Sequence, residues 1–150
     1  MNTATFMPDM VACRLAVTSK KQLLLQLSAM AAAHAGLCNR EILSAIISRE
    51  KLGSTGIGNG LALPHATLES ATRPVALLAT LETPVDFGSP DNTQVDVIAL
   101  VIGAEEDGNG YLSKVNAVSR ILHQRHTQLR DARSEADIHS ALVEPQIFAA

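Results

Sequence analysis

The 150-residue sequence predicts one α/β domain, a mixed central sheet with helices on both faces, and three observations lead there. Two short apolar runs, VALLATL at 75–81 and VDVIALVI at 95–102, have the length and continuity of strands covered on both sides. Other segments repeat apolar residues at helical spacing, each with a capping or turn signal in front. No internal repeat, low-complexity tract or linker divides the chain, whose length suffices for a single core.

Taken in order, residues 1–10 lack periodicity and are expected to form a flexible arm ahead of a domain at 11–150. Residues 11–17 alternate well enough for a first strand, although Arg14 interrupts the pattern. Ser19-Lys20-Lys21-Gln22 reads as a capping box, so a helix should start there. Its stripe is Leu23, Leu24, Leu27, Met30 and Ala31, and Gly36 is its natural end. Asn39 is expected to cap a second helix, with Glu41 near the positive end of the dipole and Ile42, Leu43, Ile46 and Ile47 as the buried face. Gly53 should end it in a left-handed conformation, leaving Arg49 and Glu50 in the last turn. Leu61 to Leu63 is read as extended because Pro64 biases the residue before it. Residues 83–92 are turn-rich and predict a loop with one short extended piece. The DGNG turn at 107–110 precedes a helical stripe of Leu112, Val115, Val118 or Ser119, and Leu122. A last helix should begin at Ser134, capped through Ser134-x-x-Asp137, and bury Ile138, Ala141 and Leu142 before Pro145 stops it.

Composition narrows the function. Hydrophobic residues make up 47% of the chain and aromatic residues 3%, with no tryptophan, so the core must be aliphatic. A net charge of −3 with so few stacking rings argues against a nucleic-acid binder. No run approaches the roughly 20 apolar residues of a membrane span, and the N-terminus lacks a basic n-region, so a cytoplasmic protein without membrane insertion is expected. Cys13 and Cys38, far apart and outside any C-x-x-C, are expected to be reduced, buried small hydrophobes.

The densest chemistry lies at 49–66, REKLGSTGIGNGLALPHA, where four of the nine glycines fall between Gly53 and Gly60 around the hydroxyls of Ser54 and Thr55. Such a stretch lets backbone N–H groups approach an anion, and it ends on the imidazole of His65. Nucleotide motifs fail here. Gly56-Ile57-Gly58-Asn59-Gly60 puts Leu61 where a dinucleotide fingerprint needs its last glycine, and Asn59-Gly60 replaces the Lys-Ser/Thr of a phosphate loop. The run resembles, almost position for position, the phosphoryl-site signature of the mannitol/fructose/nitrogen class of enzyme IIA of the bacterial phosphoenolpyruvate-dependent phosphotransferase system. The likeness continues more weakly through LETPVDFGSPDNTQVDVIALV and spans about Thr18 to Leu142.

The resemblance implies a three-layer fold and makes His65 the phosphorylated residue, with Arg49, Ser54 and Thr55 around the phosphoryl group and the backbone of Gly56, Gly58, Asn59 and Gly60 as a cradle. The residues suit that chemistry. An imidazole of ordinary pKa, about 6.5, is mainly neutral at neutral pH and keeps one nucleophilic nitrogen, provided an acceptor holds the other. Transfer of a phosphoryl group asks mostly for positioned donors around its three equatorial oxygens. One position departs from the family. Where a second active-site histidine commonly stands, this chain has Tyr111, which donates a hydrogen bond but carries no positive charge at neutral pH; it is either a phosphate-stabilising residue or an ordinary helix-start residue.

The implied partners are a histidine phosphocarrier protein upstream and a IIB component or a regulated target downstream, with an exposed apolar rim around His65 for docking. The absence of attached IIB or IIC segments points to the nitrogen-related regulatory branch. The alternatives are the IIA component of fructose- or mannitol-type sugar uptake, a regulatory module of the same fold that no longer turns over phosphate, and an anion- or nucleotide-binding protein that uses the glycine loop. No cofactor is implied. His123 and His126 share a helix face, but two ligands without a third make no metal site, so these and His139 are read as solvated, and His34 as a dipole-complementing residue. Glu50 reads equally as a partner near Arg49 or as a solvated charge.

Overall fold

The structure, a computed structural model, describes residues 7–143. Its elements run β1 (Met10–Leu15), α1 (Lys20–Ala35), α2 (Asn39–Lys51), β2 (Gly56–Gly58), β3 (Leu61–Ala62), β4 (His65–Leu68), β5 (Val75–Val85), β6 (Val95–Ala104), α3 (Gly108–Asp131) and α4 (Glu135–Val143). One mixed sheet has the order β1-β5-β6-β3-β2, and β4 continues the edge of β6 beyond β3. β5 and β6 are antiparallel; β1 is parallel to β5, and β3 and β4 are parallel to β6.

Strand periodicity sorts the core into two halves. Leu77, Ala79, Ile98, Leu100 and Ile102 face α1 and α2, while Ala76, Leu78, Val97, Ala99 and Val101 face α3 and α4. This is the expected sheet with helices on both faces, and the strands are mostly apolar along residues 75–81 and 97–104 because neither face meets water there.

Local chemistry explains most boundaries. Ser19 Oγ accepts from Gln22 N at 3.1 Å, and Gln22 returns the contact to Thr18 N at 2.7 Å rather than to Ser19. Gly36 closes α1 with φ +70°, a conformation that favours glycine. At the far end, Ser134 Oγ accepts from Asp137 N at 3.1 Å, and Ile138, Ala141 and Leu142 are buried as expected.

Several expectations need correction. Cys38, not Asn39, is the N-cap of α2, with no side-chain cap bond; Asn39 is the first helical residue. Gly53 does not adopt the left-handed helical geometry, because α2 ends through Leu52 and leaves Gly53 at φ +152°. Ile47 is exposed rather than core. Cys13 is half-buried and Cys38 exposed, so neither is a buried hydrophobe; both are free. The loop expected at 83–92 begins later, since β5 runs on until Val85 pairs with Val95, and Phe87 is buried behind it. Of the expected arm, residues 1–6 lie outside the described residues, while Asp9 is tied to Ala76 by its N–H and its carboxylate, both at 2.8 Å.

Arg14 shows why the first strand looked broken. It sits at φ +55° where the β1–β5 register slips, a bulge that turns its N–H to Thr80 Oγ1 and its Nε to the Ala132 carbonyl.

Candidate functional site

His65 opens β4 at the sheet edge, paired in register with Val101. It is preceded by Leu63-Pro64, which interrupts the edge between β3 and β4 while Pro64's carbonyl still accepts from Val101 N at 3.0 Å. That break brings the Leu63 carbonyl to 2.7 Å from His65 Nδ1. A carbonyl only accepts, so Nδ1 carries the proton and Nε2 keeps its lone pair. The half-buried ring is therefore held in one tautomer with its nucleophilic nitrogen away from the backbone.

Tyr111, in the first turn of α3, lies beside it with ring centroids 6.3 Å apart and planes tilted by 42°. Two glycines make this possible. Gly110 leaves room for the Asp107 carboxylate, which caps α3 by accepting from Gly110 N at 3.1 Å. Gly103 in β6 has no Cβ where the Tyr111 ring rests, and a Cβ there would overlap the ring. Burial raises the Tyr111 pKa and the Arg49 guanidinium lowers it to a smaller extent, so the phenol stays a neutral donor within the field of Arg49. Arg49 itself leaves the last turn of α2 and donates through Nη1 to the Gly53 carbonyl at 3.0 Å. Its remaining guanidinium N–H groups suit a bidentate grip on an oxyanion.

The two hydroxyls expected around the phosphoryl group are bonded within the protein. Ser54 Oγ donates to the Phe87 carbonyl at 2.9 Å and accepts from Gly56 N at 3.0 Å. Thr55 is buried, and its hydroxyl donates to Glu50, which also accepts from Thr55 N at 3.2 Å. Both hydroxyl protons are engaged inside the protein, so these residues fix the loop before β2 instead of presenting donors outward. Glu50, left open by the sequence, is the buried anchor: Lys20 Nζ lies 2.8 Å from its carboxylate, 3.1 Å from the Phe87 carbonyl and 4.3 Å above the Phe87 ring.

The residues expected to form a cradle, Gly56, Gly58, Asn59 and Gly60, lie in β2 and in the turn that follows it. Gly56 lies in β2 opposite Ala62, and Asn59 (φ +58°) and Gly60 (φ +78°) form the two-residue turn of the β2–β3 hairpin. Gly60 meets β6 at Asp96 and Val97, whereas His65 meets it at Val101. Four to five residues of strand, about 15 Å, separate the turn from the imidazole.

That turn is held by another cluster. Arg130 of α3 bonds the Asn59 carbonyl, Asp96 Oδ1 at 2.8 Å and Nδ1 of His126, so His126 is half-buried in a polar cluster rather than solvated. Burial, then Arg130 and His123, push the His126 pKa down, and Asp96 opposes them weakly. A base whose folded pKa is lowered stabilises the fold above its unfolded value, about 6.5, and loses that contribution as pH falls below it. The urea midpoint should therefore fall between pH 8 and pH 5, and a His126→Gln variant should show a smaller fall; identical profiles would contradict this. His123 and His139 are exposed, and among the described residues no three His, Cys, Asp or Glu side chains converge on a metal position.

A substitution tests the role of Gly103. Gly103→Ala should keep the sheet while displacing Tyr111, read as loss of the His65–Tyr111 contact in NMR spectra; an unmoved ring would contradict the assignment.

The fold and this edge site define a class, and comparison with known proteins identifies it. Residues 5–144 match the family model for the phosphoenolpyruvate-dependent sugar phosphotransferase system, EIIA 2, and the chain belongs to that family. Within it, the chain is 35% identical over 145 residues to a nitrogen regulatory protein of Bradyrhizobium diazoefficiens, covering 95% of each. The fold superposes on the nitrogen regulatory protein IIA-Ntr of Neisseria meningitidis with a TM-score of 0.79 at 23% identity, over 90% of this chain and 94% of that one. It also superposes on the mannitol IIA of Escherichia coli, solved in complex with phosphorylated mannitol IIB, with a TM-score of 0.76 at 14% identity, over 93% and 98%. No helix of the described residues is long and apolar enough to cross a membrane.

Proposed function

We propose that the protein is a phosphohistidine carrier that accepts a phosphoryl group on Nε2 of His65 from a histidine phosphocarrier protein, acting in the cytoplasm as a nitrogen-type regulatory IIA. The observation that carries this reading is the 2.7 Å contact between Nδ1 and the Leu63 carbonyl. The Nε2 lone pair attacks the phosphorus of the donor phosphoimidazole, and the donor P–N bond breaks with its electrons returning to the donor ring. Positive character that develops on the His65 ring is shared through Nδ1–H with the Leu63 carbonyl. Arg49 and the Tyr111 hydroxyl supply charge and a donor to the phosphoryl oxygens.

Two exposed leucines flank these residues: Leu52 beside Arg49 is 84% exposed and Leu112 beside Tyr111 is 56% exposed. Apolar surface of this kind, rimmed by polar groups, fits transient docking of a carrier. The regulatory assignment draws on the 35% identical nitrogen regulatory relative. Its output is contact with a regulated protein, and transfer to a IIB component is secondary.

The test is intact-mass spectrometry after incubation with phosphoenolpyruvate, enzyme I and either a sugar-type or a nitrogen-type carrier. One acid-labile phosphoryl group, acquired faster from the nitrogen-type carrier, is expected. Faster transfer from the sugar-type carrier, followed by efficient delivery to a sugar-specific IIB, would move the protein to the sugar-uptake alternative. Arg49→Lys, which keeps the charge but loses the planar fork, should slow transfer by roughly tenfold or more. Unchanged kinetics would remove Arg49 from the site.

A further inference from the structure

The helix pair α1–α2 carries a groove on its outer side that the phosphoryl site does not use. It encloses about 440 Å³ and is floored by Leu24, Leu25, Leu43 and Ile47. Leu25 and Ile47 are 42% and 37% exposed, although both lie on helices whose inward faces are filled. Lys20, Lys21 and Lys51 stand around this floor with one carboxylate, Glu50. Glu50 is turned inward, its side chain 7% exposed and paired with Lys20. Lys21 and Lys51 have no ion pair among the described residues. The groove therefore presents an apolar floor and net positive rim on a chain whose overall charge is −3.

A second feature distinguishes this groove from an ordinary apolar patch. Lys20 bonds Glu50 at 2.8 Å, and Glu50 holds the Thr55 backbone and hydroxyl. The Thr55 carbonyl accepts from Leu63 N at 2.9 Å, and the Leu63 carbonyl holds His65 Nδ1 at 2.7 Å. Hydrogen bonds joined through the Thr55 and Leu63 backbones thus link the groove rim to the imidazole.

We infer that the α1–α2 groove is a docking site for an acidic amphipathic helix of a partner protein, and that its occupancy is coupled to His65. Leucine-type side chains at i, i+3 or i+4 and i+7 fill the floor, as when a third helix is laid on a helix pair. Carboxylates beside that stripe meet Lys21 and Lys51 and compete with Glu50 for Lys20. Loosening Lys20 from Glu50 loosens the support of Thr55 and Leu63, and with it the hold on Nδ1. Coupling between two sites is reciprocal, so phosphorylation of His65 shifts affinity for the helix by the same factor as the helix shifts phosphorylation.

The test uses two designed helical peptides with the same leucine stripe, one flanked by glutamates and the other by lysines, titrated into the full chain by fluorescence anisotropy. The glutamate peptide should bind and the lysine peptide should not. Ile47→Asp, at an exposed position, should weaken the glutamate peptide by roughly tenfold or more. The double variant Lys21→Glu with Lys51→Glu should invert the preference. In the same titration, the His65 ring ¹⁵N signals should shift with the glutamate peptide, and fail to shift in Lys20→Met even where binding persists.

Equal binding of both peptides, binding indifferent to Ile47→Asp, or no binding at all would overturn the docking site. Tighter binding after truncation at Val143 would overturn the choice of a foreign occupant, because it would place the chain's own 144–150 segment in the groove. Unmoved His65 signals during saturating binding would overturn the coupling. None of these outcomes depends on phosphoryl acceptance, so failure of the groove and failure of the carrier reading are separately visible.

Discussion

His65→Gln is expected to abolish phosphoryl acceptance and to leave the fold intact. The glutamine amide offers no basic nitrogen, so no phosphoramidate can form, and the loss is complete rather than partial. Stability should change little, because the half-buried ring contributes one hydrogen bond, to Leu63, which is worth about 1 kcal/mol. The measurement pairs a labelling assay with a urea unfolding curve. Residual stoichiometric labelling of the variant would show that another residue is the acceptor, and the next side chain to test would be Tyr111.

Glu50→Ala is expected to have the largest effect on stability. It leaves the Thr55 N–H and hydroxyl without their acceptor in a residue that is 4% exposed, and it strips Lys20 of its ion pair. Breaking a buried pair on one side costs about 3–5 kcal/mol, and because the Lys20 side chain is 29% exposed, water offsets part of it, giving about 2–4 kcal/mol here. Transfer should slow as well, since the carbonyl that holds Leu63 belongs to Thr55. A loss below about 1 kcal/mol in the urea midpoint analysis would mean that Ser54 and Phe87 hold the loop without Glu50.

These outcomes also separate what could be read from the chain and what needed the fold. β5 and β6 were legible because both faces are buried along residues 75–81 and 97–104, and the runs there are mostly apolar. β4 was not, since HATL at an edge carries neither an apolar run nor alternation, and β2, GIG, has almost no side chain with which to signal. The helix caps at Ser19 and Ser134 were found because their spacing to Gln22 and Asp137 is fixed by helical geometry. Asn39 misled because its own side chain is a good cap while the backbone turns one residue earlier.

At the site, the sequence singled out His65, Arg49 and Tyr111, and the fold sets Tyr111 beside His65 and within the field of Arg49; the hydrogen bonds of each glycine and hydroxyl needed the fold. Asn59-Gly60 is a hairpin-turn dipeptide, and the density of glycines around it equally fits an anion-binding loop, so the sequence alone does not separate the two. Glu50 and Thr55 are five residues apart across a helix end, a separation with no periodic meaning, so their bond required coordinates. Gly103 offered a clue of another kind, an isolated glycine in an apolar strand, which marks close approach by another group; the approaching ring is Tyr111.

The most direct test of the account is ¹⁵N NMR of histidine-labelled protein after phosphorylation by carrier, enzyme I and phosphoenolpyruvate. Phosphorus coupling at Nε2 of His65, with Nδ1 still protonated, is the predicted result. Coupling at Nδ1, or a phosphoryl group on any other residue, would contradict it.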